Sequence, residues 1–158
     1  MNLKAEKFKQ YLAEQNINYF RVEESEDSDG SSLPAEDAES TAEKKTRVTF
    51  HTYVRVFGQK LPSVVIIDDS IYTIIRVQVI PDIEYSKNKD SFLKCVNEMN
   101  ITYKAVKYYL GADNALYLDM YIPSNNDDID GDLVINLLSA LNRHLEKEYP
   151  NWMKLLWS

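Results

Sequence analysis

The sequence predicts an α+β protein, an antiparallel sheet of about five to six strands with helices packed on one face. Two patterns carry that prediction. Apolar and polar residues alternate through Val48, Phe50, Val54 and Val56, and again through Leu116, Leu118, Met120 and Ile122. That period of two marks strands with one buried face. Elsewhere the apolar period lengthens, through Phe92, Cys95, Val96 and Met99 and then through Leu133, Val134, Leu137, Leu138, Leu141 and Leu145. Such spacing is the stripe of an amphipathic helix. The order is α-β-(acidic loop)-β-β-β-α-β-β-α, within a single domain spanning residues 1–158.

Asn2 to Gln15 forms the first predicted helix, with Asn2 as N-cap and Leu3, Phe8, Tyr11 and Leu12 near one face. A strand is expected over Ile17–Val22. From Glu23 to Lys45 the chain turns to Ser, Glu, Asp, Ala and Gly, with Pro34 included. Little apolar surface is available there to offset ordering entropy, so residues 23–45 are predicted to be an acidic, mobile insertion.

The strand from Thr46 to Phe57 directs Arg47, His51, Tyr53 and Arg55 away from its apolar side. A turn is expected at Gly58–Lys60, a strand over Ser63–Ile67, a second turn at Asp68–Ser70, and a strand over Ile71–Ile80 that Pro81 closes. Asp90 or Ser91 is the expected cap of the second helix. Strands over Thr102–Leu110 and Ala115–Ile122 flank a Gly111–Asn114 turn, and Tyr117, Asp119 and Tyr121 face outward. The long last helix is expected to end at Pro150. The two tryptophans beyond it, Trp152 and Trp157, must either pack or form a sticky patch.

At 158 residues, 44% of them hydrophobic, the chain is long enough to bury one substantial core. No apolar run approaches the ~20 residues that span a bilayer, and the N-terminal stretch has no hydrophobic signal region. One cysteine, Cys95, permits no internal disulfide, which fits a cytoplasmic location. The net charge of −7 is local in origin. Glu23–Glu43 holds nine acidic residues and no Lys or Arg, so taking those nine from the 25 leaves 16 acidic against 18 basic residues, a net of +2.

Candidate chemistry is sparse, and no enzyme is expected. Ser25–Glu36 places Asp27, Asp29, Gly30 and Glu36 at EF-hand positions, but Pro34 interrupts it and a strand-like segment precedes it. Asn126–Gly131 starts a similar pattern whose twelfth position falls on Leu137. A solvated acidic loop and a helix N-terminus explain them better. Cys95 lies on an apolar helix face and reads as a small core residue. His51 and His144 have no neighbours at metal-ligand spacing. Asp68 and Asp69 fit a turn, and with four glycines the chain has no phosphate-cradling loop. No cofactor or metal is expected.

The outward strand faces are richer, carrying Arg47, His51, Tyr53, Arg55, Tyr72, Arg76, Lys107, Tyr117 and Tyr121. Aromatics interleaved with basic groups on a sheet can stack bases and neutralise phosphates. They also stabilise an exposed sheet as cross-strand pairs, or bind a polypeptide. The helix LKCVNEMN with Asn97 and Asn100, the hairpin YKAVKYYLGADNALYLDMYIP, and a long helix closing on a proline complete a pattern over Thr46–Pro150. That block resembles the YbjN-like family of small bacterial proteins, whose fold is similar to type III secretion chaperones. The resemblance implies a non-enzymatic role in binding or regulating partner proteins, often as a dimer, and offers no catalytic residues. The acidic insertion departs from the family pattern.

The expected function is therefore a chaperone-like or regulatory protein-binding module in a bacterial cytoplasm, its partner another polypeptide or a second copy of itself. The alternative is a nucleic-acid-binding module using the basic and aromatic sheet face. Partner-binding candidates are Arg47, Tyr53, Arg55, Arg76, Tyr117, Tyr121, Trp152 and Trp157.

Overall fold

The computed structural model describes residues 2–26, 46–84, 87–125 and 127–158. Three helices, α1 (Leu3–Glu14), α2 (Lys89–Thr102) and α3 (Gly131–Trp157), join six strands. The strands are β1 (Arg21–Glu26), β2 (Thr46–Val56), β3 (Gln59–Ile67), β4 (Tyr72–Ile80), β5 (Lys107–Leu110) and β6 (Leu116–Pro123). They form one sheet in the order β1-β2-β3-β4-β6-β5, with every neighbouring pair antiparallel. The α+β prediction and its element order hold.

Helix α1 starts where the N-cap argument puts it, with the Asn2 side chain accepting from Ala5 N at 3.0 Å. Its C-terminus explains why the next strand begins later than expected. Asn16 takes a left-handed conformation (φ 54°), Asn16 N donates to Ala13 O at 3.2 Å and Ile17 N to Leu12 O at 2.8 Å. This pair is a Schellman closure, and it engages the main chain of Ile17 with the helix. The strand expected over Ile17–Val22 therefore runs over Arg21–Glu26. Glu23 and Glu24, assigned by composition to the acidic insertion, are strand residues. Glu24 meets Lys9 Nζ at 2.8 Å and Glu23 meets His51 Nε2 at 3.0 Å. The remainder of that insertion, and most of the first calcium-like pattern, lie outside the described residues.

The β2–β3 turn is tighter than the Gly58–Lys60 expectation. Val56 pairs with Gln59 across Phe57 and Gly58, both at positive φ (48° and 78°). That is the primed two-residue hairpin, whose twist matches its strands, so β3 starts at Gln59 instead of Ser63. Asp68 Oδ1 accepts from Ser70 N at 2.9 Å and Ser70 Oγ at 2.6 Å, the turn that its sequence implies.

Helix α2 begins at Lys89 after Asn88, ahead of the expected Asp90 or Ser91 cap. The Asn88 side chain is engaged elsewhere, donating to Leu155 O (3.2 Å) and Ser158 Oγ (2.7 Å). The helix continues to Thr102, so the strand expected from Thr102 shortens to Lys107–Leu110. Asn100 fixes that strand with a two-point clamp: its Nδ2 donates to Tyr108 O at 3.0 Å and its Oδ1 accepts from Tyr108 N at 2.8 Å.

Helix α3 does not stop at Pro150 but runs through it to Trp157. The proline removes one main-chain donor, and packing beyond it holds the helix together. Trp152 is fully buried, stacked on Phe92 with centroids 5.9 Å apart and 5.0 Å from Tyr108. The buried stripe is Val134, Leu138, Leu141, Leu145 and Trp152, whereas Leu133 is exposed and Leu137 half-buried. At its other end, α3 meets α1 so closely that a Cβ on Gly131 would lie 2.4 Å from the Tyr11 ring. All three helices cover the sheet face that presents Val48, Phe50, Val65, Ile75, Val77 and Leu118, with Phe8 edge-on to Phe50 at 4.8 Å. Among the described residues no helix is long and apolar enough to cross a membrane.

Leu141→Ala is expected to cost roughly 2–5 kcal/mol in urea unfolding and Leu137→Ala distinctly less, because only the former leaves a fully enclosed cavity.

Candidate polypeptide-binding surface

The opposite face of the sheet carries the sequence-predicted residues. Register places Arg21, His51, Val64, Arg76, Asp119 and Lys107 side by side across all six strands. The two ends of this face differ in kind.

At the β4–β6–β5 end the polar groups satisfy one another. Arg76 reaches Asp119 with two donors, Nε to Oδ1 at 2.9 Å and Nη2 to Oδ2 at 3.0 Å. The hydroxyls of Tyr121 and Tyr109 donate to the same Oδ2 at 2.9 and 3.1 Å. Asp119, expected to face outward, does so, yet it is 0% exposed because its four donors roof it over. A carboxylate holding four donors in this way anchors the arginine and both tyrosines. Asp119 holds the Arg76 guanidinium above its already high pKa against the opposing effect of burial. Tyr109 and Tyr117 stack at 5.4 Å, Arg76 lies 5.9 and 6.0 Å from their rings, and Lys107 lies 5.1 Å from Tyr109 and 5.5 Å from Tyr121. The Tyr117 hydroxyl donates to Asp113 at 2.5 Å.

At the β2 end the groups are open. Tyr53 is 62% exposed, with Lys60 Nζ 5.9 Å from its ring centre. Arg55 is exposed and Arg47 half-buried. At the adjoining edge of β2, where this face meets the helix-covered one, the strand, α3 and Tyr19 border a groove of about 420 Å³. Buried Val54 and Leu138, with half-buried Ile135, supply its apolar side. Asn142 of α3 closes one end, donating from Nδ2 to Arg55 O at 2.9 Å.

Of the eight candidates, the structure groups Arg76, Tyr117 and Tyr121 at one end and Tyr53 and Arg55 at the other, with Arg47 farther along β2. Trp152 leaves the set, since a core residue stacked on Phe92 offers no surface to a partner. Trp157, 80% exposed, lies far along the chain on the last turn of α3. Sequence reasoning missed Tyr109, Tyr19, Lys60 and Asn142. Lys60 was legible in principle, because a two-residue turn at Phe57–Gly58 sets it opposite Arg55.

A second polar cluster lies in the helical layer. His144 Nε2 is 2.6 Å from the Tyr108 hydroxyl, and the Tyr103 ring stands edge-on to His144 at 4.5 Å. The Tyr103 hydroxyl and Asn151 Nδ2 donate to the two oxygens of Glu148. Burial lowers the His144 pKa below its usual 6.5. Burial acts upward on Glu148, but the donors Tyr103 and Asn151 outweigh it and hold the carboxyl below 4.5. Cys95 is partly buried, and that burial, reinforced by Glu98 and Glu148, pushes its thiol pKa up. A thiol so disposed is a poor nucleophile, and among the described residues no hydrogen bond links it to His144. Nor does any group of three or more His, Cys, Asp or Glu able to hold a metal occur among the described residues. In the second calcium-like pattern, Asp130 caps α3 by accepting from Leu133 N at 3.1 Å, and Asp132 accepts from the Tyr11 hydroxyl at 2.5 Å.

Comparison with family models, with curated proteins and with solved structures finds no match to this chain. The YbjN-like resemblance rests on the order and pattern of elements alone.

Two outcomes test this geometry. Asp119→Ala, which leaves the half-buried Arg76 without a counter-ion, is expected to destabilise the fold by on the order of 3 kcal/mol in denaturant titration. Removing both partners together should cost less than the sum of the single changes. Acidification is the second test. With folded-state pKa values depressed, the unfolded chain takes up protons first, so the contribution of His144 is full above pH 6.5 and is lost as pH falls below it. Glu148 follows the same sign below 4.5. The melting temperature is expected to fall on acidification through this range, and to fall less between pH 7.5 and 5.5, roughly the window in which an imidazole titrates, in His144→Gln.

Proposed function

We propose that this chain is a non-enzymatic protein-binding module, chaperone-like or regulatory, acting in a bacterial cytoplasm on another polypeptide or a second copy of itself. The asymmetry of the outer sheet face carries this reading. At one end Arg76, Tyr109 and Tyr121 all direct their donors onto Asp119. At the other, exposed Tyr53 and Arg55 border an apolar-sided groove of about 420 Å³. Aromatic rings and arginines beside an apolar pocket are the groups that dominate protein–protein contacts. The YbjN-like resemblance, with its implied partner binding, points the same way.

The nucleic-acid alternative draws less support from the same residues. Arg76 carries its own counter-ion, and the Tyr109 and Tyr117 rings stack on each other. A net charge of +2 outside the acidic segment is also a weak field for phosphates. Size-exclusion chromatography with light scattering, coupled to affinity capture from lysate, tests the proposal. A retained polypeptide or a dimer mass is expected, while a strict monomer that retains nothing overturns it. Single-stranded DNA and RNA are expected to show no mobility shift at low salt. A salt-sensitive shift lost in Tyr53→Ala and Arg55→Ala would favour the alternative.

A further inference from the structure

We propose that the free edge of β2 at Thr52–Val56 accepts an acidic, extended segment of a partner polypeptide as an added strand. This rests on the protein-binding reading above and names its mode. Strand β1 begins at Arg21 opposite His51, and among the described residues no strand pairs with β2 beyond that point on its outer side.

Two observations fix which groups face that edge. The two-residue hairpin closes Val56 on Gln59, so Val56, Val54 and Thr52 exchange hydrogen bonds with β3, opposite Gln59, Leu61 and Ser63. Tyr53 stands opposite Pro62, which has no N–H to give, so it belongs to the alternate set that turns away from β3. The carbonyl of Arg55 confirms the direction, because Asn142 Nδ2 reaches it from α3 at 2.9 Å. Asn142 thus covers one end of the edge and β1 the other. Between them, the N–H and C=O of Tyr53 face outward, and among the described residues no hydrogen bond is made to them. An uncovered main-chain pair of this kind is a template for strand addition.

The side chains choose the occupant. An added strand would turn alternate residues toward Val54, Ile135 and Leu138 in the groove and the others toward Arg55 and Lys60. Neither cation has an ion-pair partner among the described residues. The matching segment alternates apolar with acidic residues. A second copy pairing through the same edge would oppose these cations to their own counterparts, which is unfavourable. Nucleic acid supplies no main-chain donors and acceptors at strand spacing.

The test is a ¹⁵N-correlation titration of the full chain with a synthetic hexapeptide alternating valine and glutamate. Shifts are expected at Thr52–Val56 and at the Asn142 side-chain amide. Affinity should fall about tenfold or more in Tyr53→Pro, which removes the edge donor but no bond to β3. It should fall similarly in Arg55→Glu combined with Lys60→Glu, and for a valine–lysine hexapeptide. The charge-reversal pair is surface-exposed and keeps the test alive if the proline variant does not fold. No shifts up to roughly 1 mM peptide, shifts centred elsewhere, or unchanged affinity in the charge-reversal variant would overturn the proposal. Polypeptide capture from lysate that survives charge reversal would reject this edge while leaving the broader reading intact. A strict monomer that captures no polypeptide would reject that reading itself.

Discussion

Helix α3 is the element on which the other contacts depend. Its N-terminal turn meets α1 where Gly131 lies against the Tyr11 ring, and its middle reaches β2 through Asn142. His144 then meets Tyr108 of β5, Trp152 stacks on Phe92 of α2, and the last turn receives the Asn88 amide. A single apolar stripe on one 27-residue helix therefore closes the sheet, both other helices and an edge strand into one core. Burial is non-directional, but the stripe fixes direction, since only one helix face can point inward.

Covering one face of the sheet leaves the other to solvent, and this face solves the resulting problem in two ways. Where β4, β6 and β5 lie adjacent, cross-strand distances suit side-chain pairing, and one buried carboxylate organises an arginine and the hydroxyls of two tyrosines. Where β2 outruns β1, no strand among the described residues pairs with it, and the exposed side chains of Tyr53 and Arg55 border the groove. The difference arises from strand length more than from composition, because tyrosines and basic residues occur at both ends.

The legible parts of the fold were those governed by local rules. The alternation in β2 and β6 located their inner faces to the residue, the Asn2 cap located α1, and the Asp68–Ser70 turn was written in its side chains. The misplaced boundaries each involved a competing hydrogen bond, local for Ile17 and Asn100 and long-range for Asn88. Ile17 was drawn into a helix closure, Asn88 was bound to the end of α3, and the strand after α2 was shortened to the part that Asn100 clamps. Glu23 and Glu24 looked like insertion by composition, but on a paired strand Glu24 has Lys9 as its counter-ion and Glu23 lies 3.0 Å from the His51 ring. The site was legible as a list of outward residues. Its division into a locked end and an open end was not, because that depends on register and on how far β1 extends.

By itself, the sequence determined the fold class, the element order and which strand residues face the core, because period and polarity are local properties that burial reads directly. Only the tertiary structure decided that α3 passes through Pro150, since the packing of Trp152 against Phe92 and Tyr108 outweighs one lost main-chain hydrogen bond. It likewise decided that Asp119 is buried on the outer face and that Tyr53 lies beyond the end of β1 pairing. Both follow from the pairing of segments far apart in the chain, and no local pattern encodes which strand lies beside which.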